Sequence, residues 1–317
     1  MNDINTEVNI VEPNQYINRT YMNTGITLKQ KYIILNVIKE SGSGIVYLAY
    51  DNNYHKKVVI KELFPYGRAY REKSTNKLLF NKNENYISDY YCYRNEQDIL
   101  NQIYSIQGVI RIIDSFTENN TIYIVTELID GISMTDYLRT NNLSYSEIEM
   151  ITKSLLMILS DIHNAGIIHR DICPDNIMIS PNKSITIIDF GSSIDIKRRN
   201  ASFLLESTYR NGFSPPEQYE KEGGIGSWMD IYALSATILY MFVNESLLLC
   251  YSESINRNTD QSDIFSLFTK KLNETFMNHS LNRKESIFVK KILENGLNAN
   301  LAKRWKTTEN MIKDLFK

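Results

Sequence analysis

The sequence predicts an α+β protein with two lobes, a β-rich N-terminal lobe followed by an α-helical C-terminal lobe. Two observations support this expectation. As far as about residue 127, short apolar segments are separated by turns of Gly, Asp and Asn, which is typical of antiparallel strands. After Gly131 the apolar residues recur at helical spacing. We therefore expect the two lobes to join near residues 128–130.

The N-terminal lobe is expected to begin with a three-stranded antiparallel meander whose first bend is the glycine turn Gly42-Ser43-Gly44. The expected elements are strands 32–38, 45–50 and 57–62, a helix over 86–104, and strands 109–116 and 121–127. Residues 73–85 are polar, so we expect an irregular connection there. Residues 1–24 lack hydrophobic periodicity, which predicts a flexible segment ahead of the folded domain.

In the C-terminal lobe, a capping box of Ser144 and Glu147 predicts the start of a long amphipathic helix. Its apolar face is formed by Ile148, Ile151, Leu155, Ile158, Leu159 and Ile162. Residues 228–243 are apolar on almost all sides, which predicts a buried helix. The remaining expected elements are strands 177–179 and 185–188 and helices 262–276, 285–294 and 308–316.

The composition argues against several classes of partner. The chain has 35 Lys and Arg against 37 Asp and Glu, a net charge of −2, so we expect no nucleic acid and no membrane as partner. The three cysteines, Cys92, Cys173 and Cys250, lack the spacing of a zinc site and predict free thiols. The sequence shows no signal peptide and no apolar window of the ~18 to 20 residues that cross a bilayer, so we expect a cytoplasmic protein. The oligomeric state is left open.

The strongest local signal is the run His169-Arg170-Asp171-Ile172-Cys173-Pro174-Asp175-Asn176. An Asp followed five residues later by Asn places a carboxylate and a carboxamide on one loop, the first to orient a hydroxyl and the second to hold a metal. Asp189-Phe190-Gly191 follows an apolar strand and supplies a second carboxylate for a metal. Together with Lys61 and the helical Glu96, these are the groups that phosphoryl transfer requires.

With these motifs the chain resembles the eukaryotic-like serine/threonine protein kinases, of the kind found in bacteria. The resemblance includes Lys61-Glu62-Leu63-Phe64-Pro65, Gly212-Phe213-Ser214-Pro215-Pro216-Glu217-Gln218-Tyr219 and Met229-Asp230-Ile231-Tyr232-Ala233-Leu234. It implies a bilobal protein-kinase-like fold over residues 25–317, with an N-lobe of residues 25–128 and a C-lobe of residues 131–317.

The resemblance also implies ATP and Mg²⁺ as cofactors and proteins with Ser or Thr acceptors as substrates. Lys61 would bind the α- and β-phosphates of ATP and pair with Glu96. Asp171 would orient the substrate hydroxyl and accept its proton, while Asn176 and Asp189 would hold Mg²⁺. The residues assigned to nucleotide binding besides Lys61 are Gly42, Gly44, Val46, Glu127, Ile129 and Met178. The catalytic and metal-binding side chains are expected to converge around one metal-chelated triphosphate.

Three further residues receive structural roles from the resemblance. Glu217 would pair with Arg304 and brace the C-lobe. Asp230 would support the catalytic loop from beneath. For His169 we expect a structural role, packing near the Phe190 turn, in preference to a role as general base.

The sequence departs from the family pattern at two places. Lys39 and Ser41 stand where the first two glycines of the phosphate-binding loop are expected, which predicts a slower or looser nucleotide site. Cys173 stands where serine/threonine kinases carry a lysine, and Arg210 stands where they carry the threonine that partners this lysine. We hypothesise that Arg210 supplies the missing positive charge and is catalytic. The alternative is a solvated arginine near the substrate site.

The sequence is compatible with three functions. The leading interpretation is a serine/threonine protein kinase, because Lys61, Asp171, Asn176 and Asp189 are all present. A pseudokinase that binds nucleotide as a scaffold or regulator is the alternative from another class. A small-molecule kinase of the antibiotic-phosphotransferase type is the third. The Asp189-Phe190-Gly191 motif and the Pro-Pro-Glu segment argue against this third function, because together they frame a peptide-binding segment.

Overall fold

The structure, a computed structural model, describes residues 10–11, 20–81, 86–198, 209–219, 224–244, 261–277 and 281–317. The chain divides into two compact units. Unit 1 comprises Met1–Tyr104 and Ile110–Leu128, and unit 2 comprises Ser105–Val109 and Ile129–Lys317.

Unit 1 is built on an antiparallel sheet and one helix. Its elements are β1 (Ile10–Val11), β2 (Thr27–Leu28), β3 (Tyr32–Glu40), β4 (Gly44–Asp51), β5 (Lys56–Leu63), β6 (Ala69–Arg71), β7 (Leu78–Asn81), α1 (Tyr86–Gln102), β8 (Ile112–Glu118) and β9 (Thr121–Glu127). Six strands form one sheet in the order β2-β3-β4-β5-β9-β8, and β1, β7 and β6 form a second. The predicted meander is confirmed, since β3, β4 and β5 pair in succession and antiparallel.

The core of unit 1 follows from strand alternation. Successive side chains of a strand point to opposite faces of the sheet, so every second residue of β4 is directed inward. Ile45, Tyr47 and Ala49 are fully buried at these positions. They join Val58 and Ile60 of β5 in one apolar cluster. Lys61 lies on the other face of β5, because it is offset by one residue from this buried set.

Two expectations for unit 1 are corrected. The connection predicted as irregular over residues 73–85 contains strand β7, which pairs antiparallel with β6. The segment forms a strand because its three consecutive apolar residues, Leu78 to Phe80, are buried. The fold also begins ahead of residue 25, since Met22 is 4% exposed and its amide donates a hydrogen bond to the Tyr47 hydroxyl. Apart from β1, which pairs in parallel with β7, residues 1–19 lie outside the described part of the chain.

Unit 2 is mainly helical. Its elements are β10 (Ile132–Ser133), α2 (Met134–Thr140), α3 (Tyr145–Asn164), β11 (Ile167–Ile168), β12 (Ile177–Ile179), β13 (Ile185–Ile187), β14 (Ile194–Asp195), α4 (Ser227–Val243), α5 (Gln261–Met277), α6 (Arg283–Lys291) and α7 (Thr308–Leu315). A 3-10 turn over Pro174–Asn176 precedes β12, and a π-helical turn over Ile292–Gly296 follows α6.

The helix predictions for unit 2 are confirmed. Ser144 caps α3, and its capping box with Glu147 is complete. All six predicted apolar residues of α3 are buried. Nearly every residue of α4 is buried, as its uniform hydropathy predicts. No helix in the described ranges is long and apolar enough to cross a membrane.

A glycine explains why the short segment Ser105–Val109 belongs to unit 2. Gly108 has φ +81°, and a Cβ atom there would lie 2.4 Å from the Ile158 side chain of α3. Its carbonyl accepts a hydrogen bond of 2.8 Å from the amide of Ile187. Glycine is therefore required at this close approach of the segment to α3 and β13.

Candidate active site

In unit 1 the predicted Lys61–Glu96 pair is formed. Lys61 Nζ lies 3.0 Å from Glu96 Oε1 and 2.8 Å from Oε2, which joins β5 to α1. Glu96 is only 3% exposed. Opposite charges that are partly buried attract each other more strongly than they would in bulk water. Val46 of β4 lies opposite Lys61 in the sheet, as β4 and β5 pair in register.

The glycine turn between β3 and β4 is closed by a serine. The Ser41 hydroxyl accepts a hydrogen bond of 3.1 Å from the amide of Gly44, and the Ser41 amide donates to the Gly44 carbonyl at 2.9 Å. The carbonyls of Gly42 and Ser43 accept hydrogen bonds from the amides of Tyr66 and Phe64, at 2.8 and 3.0 Å. Serine at position 41 therefore shapes the turn through its side chain.

In unit 2 the catalytic loop places Asn176 against Asp171. Asn176 Nδ2 donates to the Asp171 carbonyl at 2.9 Å and to Asp171 Oδ2 at 2.8 Å. Asn176 follows Asp171 by five positions, and the 3-10 turn that contains Asn176 folds the loop so that the two side chains meet. Because Nδ2 is used in this way, the carboxamide oxygen of Asn176 is its candidate metal ligand.

The backbone of this loop is held by Asp230 of α4. Its carboxylate accepts hydrogen bonds from the amides of His169 and Arg170, at 2.8 and 2.7 Å, and contacts His163 Nε2 at 2.9 Å. Burial works against its charge, but the hydrogen bonds from the His163 ring and from the backbone amide of His169 help to hold the pKa of Asp230 below its usual value. The predicted support of the loop is confirmed.

His169 has the structural role that we expected. Its ring meets the Phe190 ring edge-on, with centroids 4.6 Å apart. Complete burial lowers the pKa of His169 and outweighs the nearby carboxylates of Asp230, Asp171 and Asp189, which act to raise it. The imidazole is therefore neutral at pH 7.

Arg210 lies at the centre of the polar cluster around Asp171. Arg210 Nε is 2.9 Å from Asp171 Oδ1 and Arg210 Nη2 is 3.2 Å from Asp171 Oδ2, so the pairing is bidentate. Arg210 Nη1 reaches Asp175 Oδ2 at 2.8 Å. Burial opposes the charge of the guanidinium, but the hydrogen bonds and charges of these carboxylates raise the pKa of Arg210 above its ordinary value.

Cys173 carries no charge in this cluster. It is fully buried, and burial together with the negative charge of Asp171 raises the pKa of the Cys173 thiol well above its ordinary value. Cys92 and Cys173 are free thiols, as predicted, and Cys250 lies outside the described residues. Arg210 is thus the cation that contacts the Asp171 carboxylate, while the residue at the family's lysine position is neutral.

Asp189 follows β13 and has a left-handed backbone, with φ +63°. Its Oδ1 accepts a hydrogen bond of 3.4 Å from the amide of Gly191. Among the described residues no group of three or more His, Cys, Asp or Glu could hold a metal by itself. Asn176 and Asp189 provide oxygen donors, which hard divalent cations prefer.

Two further residues predicted to bind nucleotide, Glu127 and Met178, lie on strands. Glu127 ends β9, where its amide donates to the Arg111 carbonyl at 3.1 Å. Met178 lies in β12, between Ser133 of β10 and Thr186 of β13. Unit 1 contains Gly42, Gly44, Val46, Lys61, Glu96 and Glu127, and unit 2 contains Ile129, Asp171, Asn176, Met178, Asp189 and Arg210. The structure joins Lys61 to Glu96, and joins Asp171 to both Asn176 and Arg210.

Sequence reasoning missed Asp175 as a partner of Arg210. Asp175 Oδ1 also accepts a hydrogen bond of 2.6 Å from the Thr135 hydroxyl of α2. The only signal was its place inside the loop motif, because both partners lie 35 or more residues away along the chain.

The predicted brace of the C-terminal region is confirmed. Arg304 Nη1 lies 2.5 Å from Glu217 Oε1, and Arg304 Nη2 lies 3.2 Å from Oε2. Both residues are buried. A bidentate buried pair of this kind fixes the short turn Pro216–Tyr219 against the segment ahead of α7.

The chain is similar to known proteins over most of its length. Residues 32–316 match the protein kinase domain family. The chain is 30% identical over 228 residues to serine/threonine-protein kinase D of Synechocystis, and 26% identical over 218 residues to serine/threonine-protein kinase pakA of Talaromyces marneffei. Each match covers 68% of this chain but only 41% and 30% of those proteins, so the chain spans less than half of either relative.

A solved structure shows the same fold. The apo form of PpkA-294 superimposes with a TM-score of 0.67 at 23% identity, covering 93% of this chain and 99% of that one. The fold is that of the protein kinases, as predicted. The family match covers most of the sequence and includes every motif described above, and the chain therefore belongs to the protein kinase domain family.

Proposed function

We propose that this chain is an ATP-dependent protein kinase that transfers the γ-phosphoryl group of ATP to Ser or Thr hydroxyls of proteins. The observation that carries the proposal is the organisation of the catalytic loop. Its backbone is fixed by the buried Asp230, and the Asp171 carboxylate is oriented by Asn176 and Arg210. A preorganised carboxylate is what the acceptor hydroxyl requires, because the chemical step depends mainly on positioning and charge.

In this proposal, the two charged sites have different tasks. Lys61, held by Glu96, binds the nucleotide phosphates and offsets their negative charge. The acceptor oxygen forms a bond to the γ-phosphorus while the bond from that phosphorus to the β,γ-bridging oxygen breaks, and ADP leaves. Asp171 orients the acceptor hydroxyl and receives its proton.

Family membership implies ATP and a divalent metal, and we propose Mg²⁺. Magnesium is usually held by one or two protein carboxylates together with substrate phosphates, and the Asp189 carboxylate and the Asn176 carboxamide offer oxygen donors of the kind it prefers. Asn176 and Asp189 would hold the ion. When bound, it neutralises phosphate charge and makes the γ-phosphorus easier to attack.

We propose that Arg210 supplies the positive charge that Cys173 cannot. Its guanidinium contacts both oxygens of the catalytic carboxylate, and the Arg210 side chain as a whole is 33% exposed. A cation at this place stabilises the charge that develops on the transferred group. The contacts support this assignment over the alternative of a solvated arginine.

The same contacts favour one second candidate, a pseudokinase. Both oxygens of Asp171 are engaged by Arg210, and a chain in which they stay engaged would bind nucleotide without transferring phosphate. The small-molecule kinase interpretation has no such support, since the chain matches the protein kinase domain family.

Transfer of labelled phosphate separates the two functions. The purified chain is incubated with Mg²⁺ and [γ-³²P]ATP, with myelin basic protein as acceptor, beside an Asp171→Asn variant. We expect incorporation into Ser and Thr, lowered about 10²-fold or more in Asp171→Asn, since a general base of this kind contributes that factor. ATP binding without transfer in the native chain would instead support the pseudokinase, and no ATP binding would contradict both.

A further inference from the structure

Tyr93 of α1 makes contacts that no sequence motif predicted. It is 2% exposed, and its hydroxyl donates a hydrogen bond of 3.1 Å to the carbonyl of Glu62 in β5. The ammonium group of Lys61 lies 5.3 Å from the centre of its ring. Tyr93 and Glu96 are three residues apart on the helix, so both side chains face β5. One tyrosine therefore contacts the strand and the lysine that Glu96 binds.

The tyrosine hydroxyl also reaches the glycine turn. A Cβ atom on Gly44 would lie 2.1 Å from Tyr93 Oη and 2.3 Å from the Glu62 carbonyl oxygen. Real Cβ atoms do not approach other atoms this closely, so only glycine fits between β5 and Tyr93 at this position. At Gly42, in the same turn, no atom lies within 4 Å of such a Cβ. Of these two glycines, only Gly44, which lies against Tyr93, has no room for a side chain.

We propose that Tyr93 is a positioning residue for nucleotide binding, which holds the glycine turn, β5 and α1 in the arrangement where Lys61 pairs with Glu96. This inference rests on the proposed function for its activity readouts. Its physical basis is separate. A hydrogen bond to a buried carbonyl fixes the distance between helix and strand, and the ring beside the lysine ammonium restricts where that charge can lie.

The test is the substitution Tyr93→Phe, which keeps the ring and removes the hydroxyl. We expect the Kd for Mg·ATP and the KM for ATP to rise about 5- to 10-fold, the scale of one lost hydrogen bond, with kcat at saturating ATP changed less. Tyr91→Phe is the matched control, because Tyr91 lies on the same helix and is 46% exposed. Its Kd should equal that of the native chain.

A double-mutant cycle distinguishes positioning from a general loss of stability. If Tyr93 acts through the ion pair, then adding Tyr93→Phe to Glu96→Gln should change the Kd for Mg·ATP less than it does in the native chain. Equal effects in the two backgrounds would overturn the inference. Gly44→Ala disturbs the same contact from the turn, so it should weaken Mg·ATP binding more than Gly42→Ala does.

Hydrogen exchange tests the contact without nucleotide. Amides of residues 42–46 and 61–63 should exchange faster in Tyr93→Phe than in Tyr91→Phe. If the native chain binds no Mg·ATP, the proposed function fails while this measurement still tests the positioning role. Equal exchange in the two variants would show that Tyr93 does not hold the turn, whatever the activity of the chain.

Discussion

At the scale of single residues, Arg210 donates to two carboxylates of one loop. Its side chain contacts Asp171 through two nitrogens and Asp175 through the third. The carbonyl of Arg210 accepts hydrogen bonds from the amides of Phe213 and Ser214, and its amide donates to the Ser214 hydroxyl. A guanidinium held by its own backbone and by two carboxylates has a defined direction, which a point charge on a flexible stem would lack.

Substitutions at positions 173 and 210 test the role of this positive charge. Arg210→Ala should lower kcat about 10²-fold or more, as expected for losing one preorganised electrostatic group. The double variant Cys173→Lys with Arg210→Thr should recover part of this loss, because the lysine returns a cation to the loop. The measurement is steady-state phosphorylation of myelin basic protein, with thermal unfolding as the check on folding. A native kcat in a folded Arg210→Ala variant would refute the role.

At the scale of elements, the hairpin of β6 and β7 is joined to the main sheet by a buried polar network. Arg71 Nη2 lies 2.5 Å from Glu62 Oε2, and the hydroxyls of Tyr47 and Tyr123 donate to the same carboxylate at 3.0 and 2.7 Å. Arg71 also donates to the carbonyls of Thr20 and Asn76, at 2.9 Å each. Burial, followed by the charge of Glu62, raises the pKa of both tyrosines, so their hydroxyls remain donors.

Breaking this network should unfold the chain more easily. Arg71→Met leaves the Glu62 carboxylate buried without its cation, and we expect the free energy of unfolding to fall by about 3 to 5 kcal/mol. Arg139→Met is the matched control. Arg139 pairs with Asp136 on the surface of α2, at 63% and 55% exposure, and such pairs contribute about 1 kcal/mol or less.

Urea unfolding followed by circular dichroism gives both values. A third variant, Glu62→Gln with Arg71→Met, removes both charges and should be less destabilised than Arg71→Met alone, because no unpaired charge remains. An Arg71→Met loss as small as that of Arg139→Met would show that the buried pair does not stabilise unit 1.

At the scale of the whole molecule, the buried His169 makes stability depend on pH. Burial lowers its pKa below the ordinary value of 6.5, so the unfolded chain takes up a proton at this histidine before the folded chain does. A group with this behaviour stabilises the fold above pH 6.5, and its contribution is lost as the pH falls through 6.5 toward the lower folded value. The charges that face it belong to Asp230, Asp171 and Asp189.

We therefore expect the free energy of unfolding to decrease between pH 7.5 and pH 5, with His169 contributing a slope of up to about 1.4 kcal/mol per pH unit. His169→Gln should flatten this dependence, although the variant is less stable at pH 7.5. His55→Gln, which replaces an exposed histidine, should keep the native slope. Urea unfolding at a series of pH values provides the comparison, and parallel curves for His169→Gln and the native chain would contradict the assignment.

Much of the fold could be predicted from local patterns. The capping box of Ser144 and Glu147, the uniformly apolar α4 and the alternation of β4 each depend on residues that are close along the chain. Strand β7 could not be predicted in the same way. Its three apolar residues are too few to show a period, and they form a strand because β6 pairs with them.

The sequence by itself determined the order of the longer helices and of the main strands, the motifs of a protein kinase domain and the residue types available for phosphoryl transfer. Only the tertiary structure decided that Arg210 contacts Asp171, which is 39 residues away, and that Tyr93 contacts Glu62, which is 31 residues away. The physical reason is that propensity and periodicity act between neighbours along the chain. Hydrogen bonds and ion pairs of this kind depend on which surfaces become buried together when the elements pack.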